Sequence, residues 1–194
     1  MFVDNIRIFA RAGKGGNGLV SFRRAKFVPK GGPDGGDGGD GGSVILEVDP
    51  HTNDLRSFFY DPKLIATDGV GGQSAKKHGK NGKSVIGKVP PGTIIYRSNA
   101  SSMAEATWLE REGEGIELEK IADLTEIGTR FTLCQGGLGG KGNWHFRSAT
   151  NQAPTEAEMG TEGEEGVFFM ELRRIADAGL VGYPNAGKST LLGD

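Results

Sequence analysis

The sequence predicts a mainly β domain followed by the beginning of an α/β nucleotide-binding domain. Short apolar runs are separated by glycine and proline, which is typical of β-strands joined by tight turns. Glycine accounts for 34 of 194 residues, or about 18%, against a usual ~7%. Close to the last residue, positions 182–189 fit the phosphate-loop pattern G-x-x-x-x-G-K-[ST].

Five apolar runs predict the strands of the β domain, at residues 6–10, 44–48, 84–89, 94–96 and 131–134. Helix-period patterning is scarce, and the best candidate for a helix is 102–111. An acidic, glycine-rich stretch then gives way to an apolar one near residue 168. We therefore place the first domain at 1–167 and the start of the second at 168–194, and interpret the glutamates at 156–165 as a solvated linker.

The glycine tracts are the unusual feature of the first domain. From Gly35 to Gly42 two glycines alternate with one aspartate, and a three-residue repeat aligns one residue type along an edge of a polyproline II helix. Similar clusters begin at positions 13, 69, 136 and 160. Such tracts form either flexible linkers or extended segments packed on one another. We favour packing, because the clusters alternate with the predicted strands.

Charge and cysteine content narrow the class of protein. The net charge of −2 predicts no polyanion partner by itself, but the first thirty residues are basic, which suits either a nucleic-acid contact or a solvated face. Cys134 is the only cysteine and is predicted to lie in a buried strand. No signal peptide and no apolar run of about 20 residues is found, so we expect a cytoplasmic protein.

The phosphate loop follows a short apolar run and precedes a predicted helix start, which is the context that the pattern requires. Glycines let such a loop turn its N–H groups toward phosphate oxygens. Lys188 is expected to reach the β- and γ-phosphates, and Ser189 to place its hydroxyl on Mg²⁺. The predicted nucleotide-binding residues are Gly182, Tyr183, Pro184, Asn185, Ala186, Gly187, Lys188 and Ser189.

Taken together, the glycine tracts at 31–42 and 136–143 and the loop at 181–189 resemble those of the bacterial Obg (CgtA) GTPases. The resemblance covers essentially the whole chain. It implies an Obg fold, in which six glycine-rich polyproline II helices stand on a β-barrel-like base, followed by a truncated Ras-like G domain.

The resemblance also implies a function. It predicts a monomer that binds GTP and GDP, requires Mg²⁺ and hydrolyses GTP slowly, with Lys188 as the catalytic residue and Ser189 as the metal ligand. It further implies action in assembly of the large ribosomal subunit and a link to the stringent response through guanosine tetraphosphate. The base-reading motif is absent, so guanine specificity depends on the resemblance, and a chain ending at Asp194 is expected to be inactive.

Basic residues beside the glycine tracts are candidates for RNA phosphate contacts, with solvated surface as the alternative. They are Arg23, Arg24, Lys26, Lys30, Lys76, Lys77, His78, Lys80, Lys83, Lys141, His145 and Arg147. Trp144 and Phe146 could stack on bases, but we interpret them as core. The spacing of Asp34, Asp37 and Asp40 does not match a Ca²⁺ loop, so no metal is predicted there.

Two other functions remain open. One is a non-enzymatic module that binds ribosomes or RNA and carries a vestigial phosphate loop. The other is a purely structural glycine-rich protein.

Overall fold

The computed structural model describes residues 3–24, 31–100, 102–106 and 117–173, and within them the chain is mainly β, as predicted. The predicted loop at 182–189 and its flanking strand and helix lie outside these residues. The described strands are β1 (Asn5–Arg11), β2 (Val44–Val48), β3 (Lys63–Ile65), β4 (Val85–Val89), β5 (Thr93–Ser98), β6 (Leu118–Leu124), β7 (Arg130–Cys134) and β8 (Glu165–Leu172).

Short helices accompany the described strands: α1 (Arg56–Tyr60), a 3₁₀ helix (Asn143–Phe146) and one helical turn at 103–106. Asp54 Oδ1 accepts a hydrogen bond from the N–H of Arg56 at the start of α1. Phe58 is the buried residue of this helix. The predicted helix at 102–111 is confirmed where it is described, at 103–106.

The described strands form two sheets that share one hydrophobic core. The larger has the order β3-β1-β8-β5-β6 and the smaller β4-β2-β7. The resemblance implies a barrel-like base, whereas these strands form two separately hydrogen-bonded sheets. The shared core includes Ile8, Leu46, Ile95 and Phe168, each at most 1% exposed.

Strand β8 lies at the centre of the larger sheet, antiparallel to both β1 and β5. Its Phe168, Met170 and Leu172 enter the main core, whereas Val167 points to a smaller cluster with Ala100 and Ala106. The predicted boundary at 167/168 falls inside this continuous strand. The division of the chain into two domains remains a prediction, since the described part ends at Arg173.

Six extended segments, almost entirely without helix or strand assignment, project from the sheets, and together we call them the glycine bundle. Strands β1, β3 and β7 continue into outgoing segments, and three returning segments lead into β2, β4 and β8. In chain order they are segment 1 (12–19), segment 2 (34–42), segment 3 (66–73), segment 4 (76–84), segment 5 (135–143) and segment 6 (158–164). This course explains the parallel pairing of β1 with β3 and of β2 with β4.

Backbone hydrogen bonds join the segments at every third residue. Segment 1 donates to segment 2 from Gly13, Gly16 and Leu19, at 2.8, 2.8 and 3.0 Å. Segment 2 in turn donates to segment 3 from Gly36, Gly39 and Gly42, at 2.8, 2.9 and 2.9 Å. The packed arrangement is therefore confirmed, and the linker alternative is wrong for these tracts.

Close approach of the backbones explains why the repeat needs glycine. A Cβ atom on Gly38 would lie 1.9 Å from the carbonyl oxygen of Gly16, and one on Gly41 1.9 Å from that of Gly13. No side chain fits at such distances without moving the neighbouring backbone. The glutamates of 156–165 are exposed, as the solvated interpretation predicted. The linker interpretation is wrong for 158–164, which forms the packed segment 6, because Gly18 N–H donates to the carbonyl of Glu158 at 2.9 Å.

Candidate functional site

The distal end of the glycine bundle, farthest from the sheets, is formed by three connections. The first comprises the described parts of 19–34, the second is the turn 73–77, and the third is 143–157. In the first connection the N–H of Arg23 donates to the carbonyl of Gly32 at 3.0 Å. This contact holds Arg23 and Arg24 at the end of the bundle, where both are exposed.

Side chains accept hydrogen bonds from many backbone N–H groups that take no part in the backbone hydrogen bonds at every third residue. Asp34 Oδ2 accepts from Ala75 at 3.2 Å, Asp37 Oδ1 from Gly142 at 2.7 Å, and Asp40 Oδ1 from Gly139 at 2.9 Å. Paired backbone groups are the general rule for packed chains. The aspartate repeat therefore ties segment 2 to its neighbours. The described residues contain no cluster of His, Cys, Asp or Glu side chains able to hold a metal ion.

Asn143 is the most completely buried polar side chain at the distal end, with no exposed surface. Its Oδ1 accepts from the N–H of Gly35 at 2.9 Å. Its Nδ2 donates to the carbonyls of Ser21 and Pro154, both at 3.0 Å. One amide thus joins the first connection, segment 2 and the third connection.

Asp37 also binds two imidazoles through its second oxygen. Asp37 Oδ2 lies 2.7 Å from His145 Nε2 and 3.5 Å from His78 Nδ1. Burial acts to raise the pKa of Asp37, but the Gly142 hydrogen bond and the two histidines outweigh it and lower the pKa below its usual value. The carboxylate is thus ionised at neutral pH and joins segments 2, 4 and 5.

The turn 73–77 has an unusual backbone. Ala75 and Lys76 have φ angles of 59° and 56°, a left-handed conformation that non-glycine residues rarely adopt. The N–H of Lys76 donates to the carbonyl of Asp34 at 2.7 Å. The Nζ atom of Lys76 lies 4.9 Å from the centre of the Trp144 ring, within the range of a cation–π contact.

The predicted basic residues do not converge on one point. Arg23, Arg24, Lys76, Lys77 and Arg147 are exposed at the distal end. Beside them a cleft of ≈ 680 Å³ is lined partly by Arg23, Arg24, Asp34 and Ala75.

The other basic candidates lie elsewhere. Lys80 and Lys83 follow segment 4 back toward the sheets, and Lys141 lies 3.9 Å from Glu158. His78 and His145 are engaged by Asp37. Lys26 and Lys30 lie outside the described residues.

The interpretation of Trp144 and Phe146 as core is wrong. Both are half-buried, and neither belongs to the buried clusters of the described residues. They follow Asn143 in the 3₁₀ helix, which lies beyond the sheets at the distal end. Trp144 packs on His145 with ring centres 3.9 Å apart.

Comparison with known proteins identifies the family. The sequence profile of the family described as GTP1/OBG matches residues 3–174. The chain belongs to the GTP1/OBG family. The match confirms the resemblance drawn from the glycine tracts.

Relatives within the GTP1/OBG family are similar along the whole chain. A "GTPase Obg" of Methylacidiphilum infernorum (isolate V4) is 50% identical over 99% of this chain and 53% of the relative. Others, from Chlorobium chlorochromatii (strain CaD3) and Clostridioides difficile (strain 630), are 51% and 48% identical over 98% and 99% of this chain and 52% and 41% of their own lengths. The chain thus spans about half the length of such relatives, or less.

Several functional features were missed at the level of sequence. The bonding roles of Asp37 and Asn143 were not predicted. An aspartate at every third position of a glycine tract is nevertheless a usable signal, because its carboxylate can accept a hydrogen bond from a backbone N–H group that has no backbone partner.

The described residues include no helix with the length and apolar character needed to cross a membrane.

Proposed function

We propose that this chain is the N-terminal part of a cytoplasmic Obg-type GTPase whose glycine bundle is an arm that binds RNA of the large ribosomal subunit. The observation that carries the RNA proposal is the set of exposed cations at the distal end of a rigid, cross-linked bundle. Cations fixed in position lose little freedom when they bind phosphates, so they bind more tightly than mobile ones.

The six segments are proposed to be polyproline II helices. Hydrogen bonds at every third residue support this assignment, since that helix has three residues per turn. Gly142, at the end of segment 5, has φ −74° and ψ 165°, close to the polyproline II region. The close backbone approaches at Gly38 and Gly41 resemble the packing of glycine edges in collagen.

The GTPase proposal is supported by the phosphate-loop pattern at 182–189 and by the name "GTPase Obg" of the relatives. In it, Lys188 binds the β- and γ-phosphates and offsets charge that develops during phosphoryl transfer, while Ser189 supplies a hydroxyl ligand for Mg²⁺. Roles in subunit assembly and in the response to guanosine tetraphosphate belong to the same proposal.

Sedimentation with purified bacterial large ribosomal subunits tests the RNA proposal. We expect co-sedimentation at low salt that weakens as salt rises, because phosphate contacts release counterions. Arg23→Glu combined with Arg24→Glu should reduce it. Arg56→Glu combined with Lys63→Glu, at the opposite end of the molecule, should leave it unchanged. Co-sedimentation that changes neither with salt nor with the Arg23 and Arg24 substitutions would overturn the proposal.

Nucleotide binding tests the GTPase proposal separately. A protein that continues through a length comparable to the relatives should bind fluorescent GDP and hydrolyse GTP, and Lys188→Ala should abolish hydrolysis. RNA binding without nucleotide binding would instead favour the non-enzymatic module.

A further inference from the structure

The turn 73–77 holds one particular lysine in place through its backbone. Asp34 accepts hydrogen bonds from two successive N–H groups of the turn, Ala75 through Oδ2 at 3.2 Å and Lys76 through its carbonyl at 2.7 Å. A left-handed pair of non-glycine residues persists only where its surroundings enforce it. The start of the Lys76 side chain is thereby fixed relative to segment 2.

The other end of the same side chain is held by an aromatic ring. Lys76 Nζ lies 4.9 Å from the centre of the Trp144 ring. Trp144 in turn packs on His145, whose Nε2 lies 2.7 Å from Asp37 Oδ2. The Nε1 atom of the indole is buried and has no hydrogen-bond partner among the described residues. The indole therefore contacts the ammonium through its ring, while its N–H is covered by the surrounding protein.

We propose that Lys76 is a preorganised phosphate contact and that Trp144 is its positioning residue, rather than a platform on which bases stack. This inference rests on the proposed RNA-binding function. An ammonium group has three N–H donors, and contact with a ring face leaves donors free for phosphate oxygens. Fixing a long side chain before binding removes an entropic cost of association.

The two roles of Trp144 predict different outcomes. A positioning residue acts only through Lys76, so its loss has little effect once Lys76 is gone. A stacking residue acts on RNA directly, so the two losses add in free energy. Stacking also leaves the salt dependence unchanged, whereas loss of one phosphate contact lowers the salt slope by about one.

A double-mutant cycle distinguishes these roles, with binding to purified large subunits measured at several salt concentrations. We expect Lys76→Ala and Trp144→Ala each to weaken binding by roughly 3- to 10-fold, and the double variant to be no weaker than Lys76→Ala. The salt slope should fall in all three, and Trp144→Phe should restore most of the affinity.

Lys80→Ala, an exposed lysine on the same segment, serves as the matched control and should show no coupling to Trp144→Ala. Thermal unfolding of each variant detects general loss of structure. Additive losses, or a Trp144→Ala variant with an unchanged salt slope, would overturn the positioning role. Wild-type protein that does not bind subunits at all would overturn the RNA proposal together with this inference.

Discussion

Asp37 Oδ1 accepts a hydrogen bond of 2.7 Å from the backbone N–H of Gly142, across 105 positions of sequence. This bond joins a returning segment of the glycine bundle to an outgoing one. Extended segments have no internal hydrogen bonds, so their order depends on such bonds between segments. The bundle is thus stabilised by contacts between residues that are distant in sequence. Substitutions are therefore expected to act on the packing and hydrogen bonding between segments rather than on the conformational propensity of one segment.

Neighbouring glycines on segment 3 should respond very differently to alanine. A Cβ on Gly72 would lie 2.0 Å from the carbonyl oxygen of Gly36, whereas the nearest atom to a Cβ on Gly71 is 3.5 Å away. We expect Gly72→Ala to cost about 3 kcal/mol or more in free energy of unfolding, through overpacking. Gly71→Ala should be neutral or stabilising by up to about 1 kcal/mol. Urea denaturation measures both, and equal effects would contradict the packed arrangement.

Loss of the Asn143 amide should destabilise the distal end. Asn143→Ala leaves the N–H of Gly35 and the carbonyls of Ser21 and Pro154 without this partner. We expect a cost of about 2–4 kcal/mol, from several unmade buried hydrogen bonds. Asn143→Asp should be at least as harmful, because a carboxylate would then face two carbonyl oxygens.

Hydrogen exchange of the Gly35 amide measures directly whether its hydrogen bond to residue 143 is lost. Its protection should fall in both variants, whereas the amide of Ile95, in the core of the larger sheet, should change only with global stability. An Asn143→Asp variant as stable as wild type would contradict this account.

Stability should fall in acid partly through Asp37. The folded state lowers the pKa of this carboxyl, despite the opposing effect of burial. Its contribution is therefore fully present above the unfolded value of about 3.9 and is lost as pH falls through the lower folded value. Asp37→Asn should reduce stability at pH 7 and flatten the fall below pH 4.

Asp61→Asn is the control for the acid prediction, since Asp61 is exposed at the end of α1. In denaturation measured from pH 3 to 7, the free energy of unfolding of this variant should depend on pH in the same way as that of the wild type. If Asp37→Asn kept the full acid dependence, the role of Asp37 would be wrong.

Cys134 should be inert in the folded protein. It is 1% exposed. Burial is the main cause that raises the pKa of its thiol to about 12, and the nearby charge of Glu164 is the second. The reactive thiolate is thus scarce at pH 8. As the only cysteine, it gives an unambiguous signal with a thiol reagent: slow reaction in buffer and rapid reaction in urea. Rapid labelling of native protein would contradict its place in the core.

Strands with clear apolar alternation and glycine tracts with a three-residue period could be predicted from sequence. The predicted strand at 44–48 coincides with β2. Strand β3, with three residues, is too short to show a pattern, and β6 exposes much of its length and carries several charges. Strand β8 lies between two other strands and is mostly buried, so its apolar run resembled a junction between domains.

The distal end was less predictable, because its residues act through partners remote in sequence. The pairing of Asp37 with His145 and of Lys76 with Trp144 depends on which segments become neighbours. Charge alone marked Lys76, Lys80 and Lys83 as equivalent. Their positions along segment 4 separate them, since only Lys76 belongs to the turn that faces Trp144.

The central position of β8 has a mechanical consequence. The strand is antiparallel to both of its neighbours, and Arg173 just after it donates to the carbonyl of Gly92 at 3.0 Å. A pull on the chain at Arg173, directed along the strand, would load both flanking ladders in shear, so that many bonds would have to break together. Because segment 6 leads directly into β8, tension not borne by these ladders would pass into that segment of the glycine bundle.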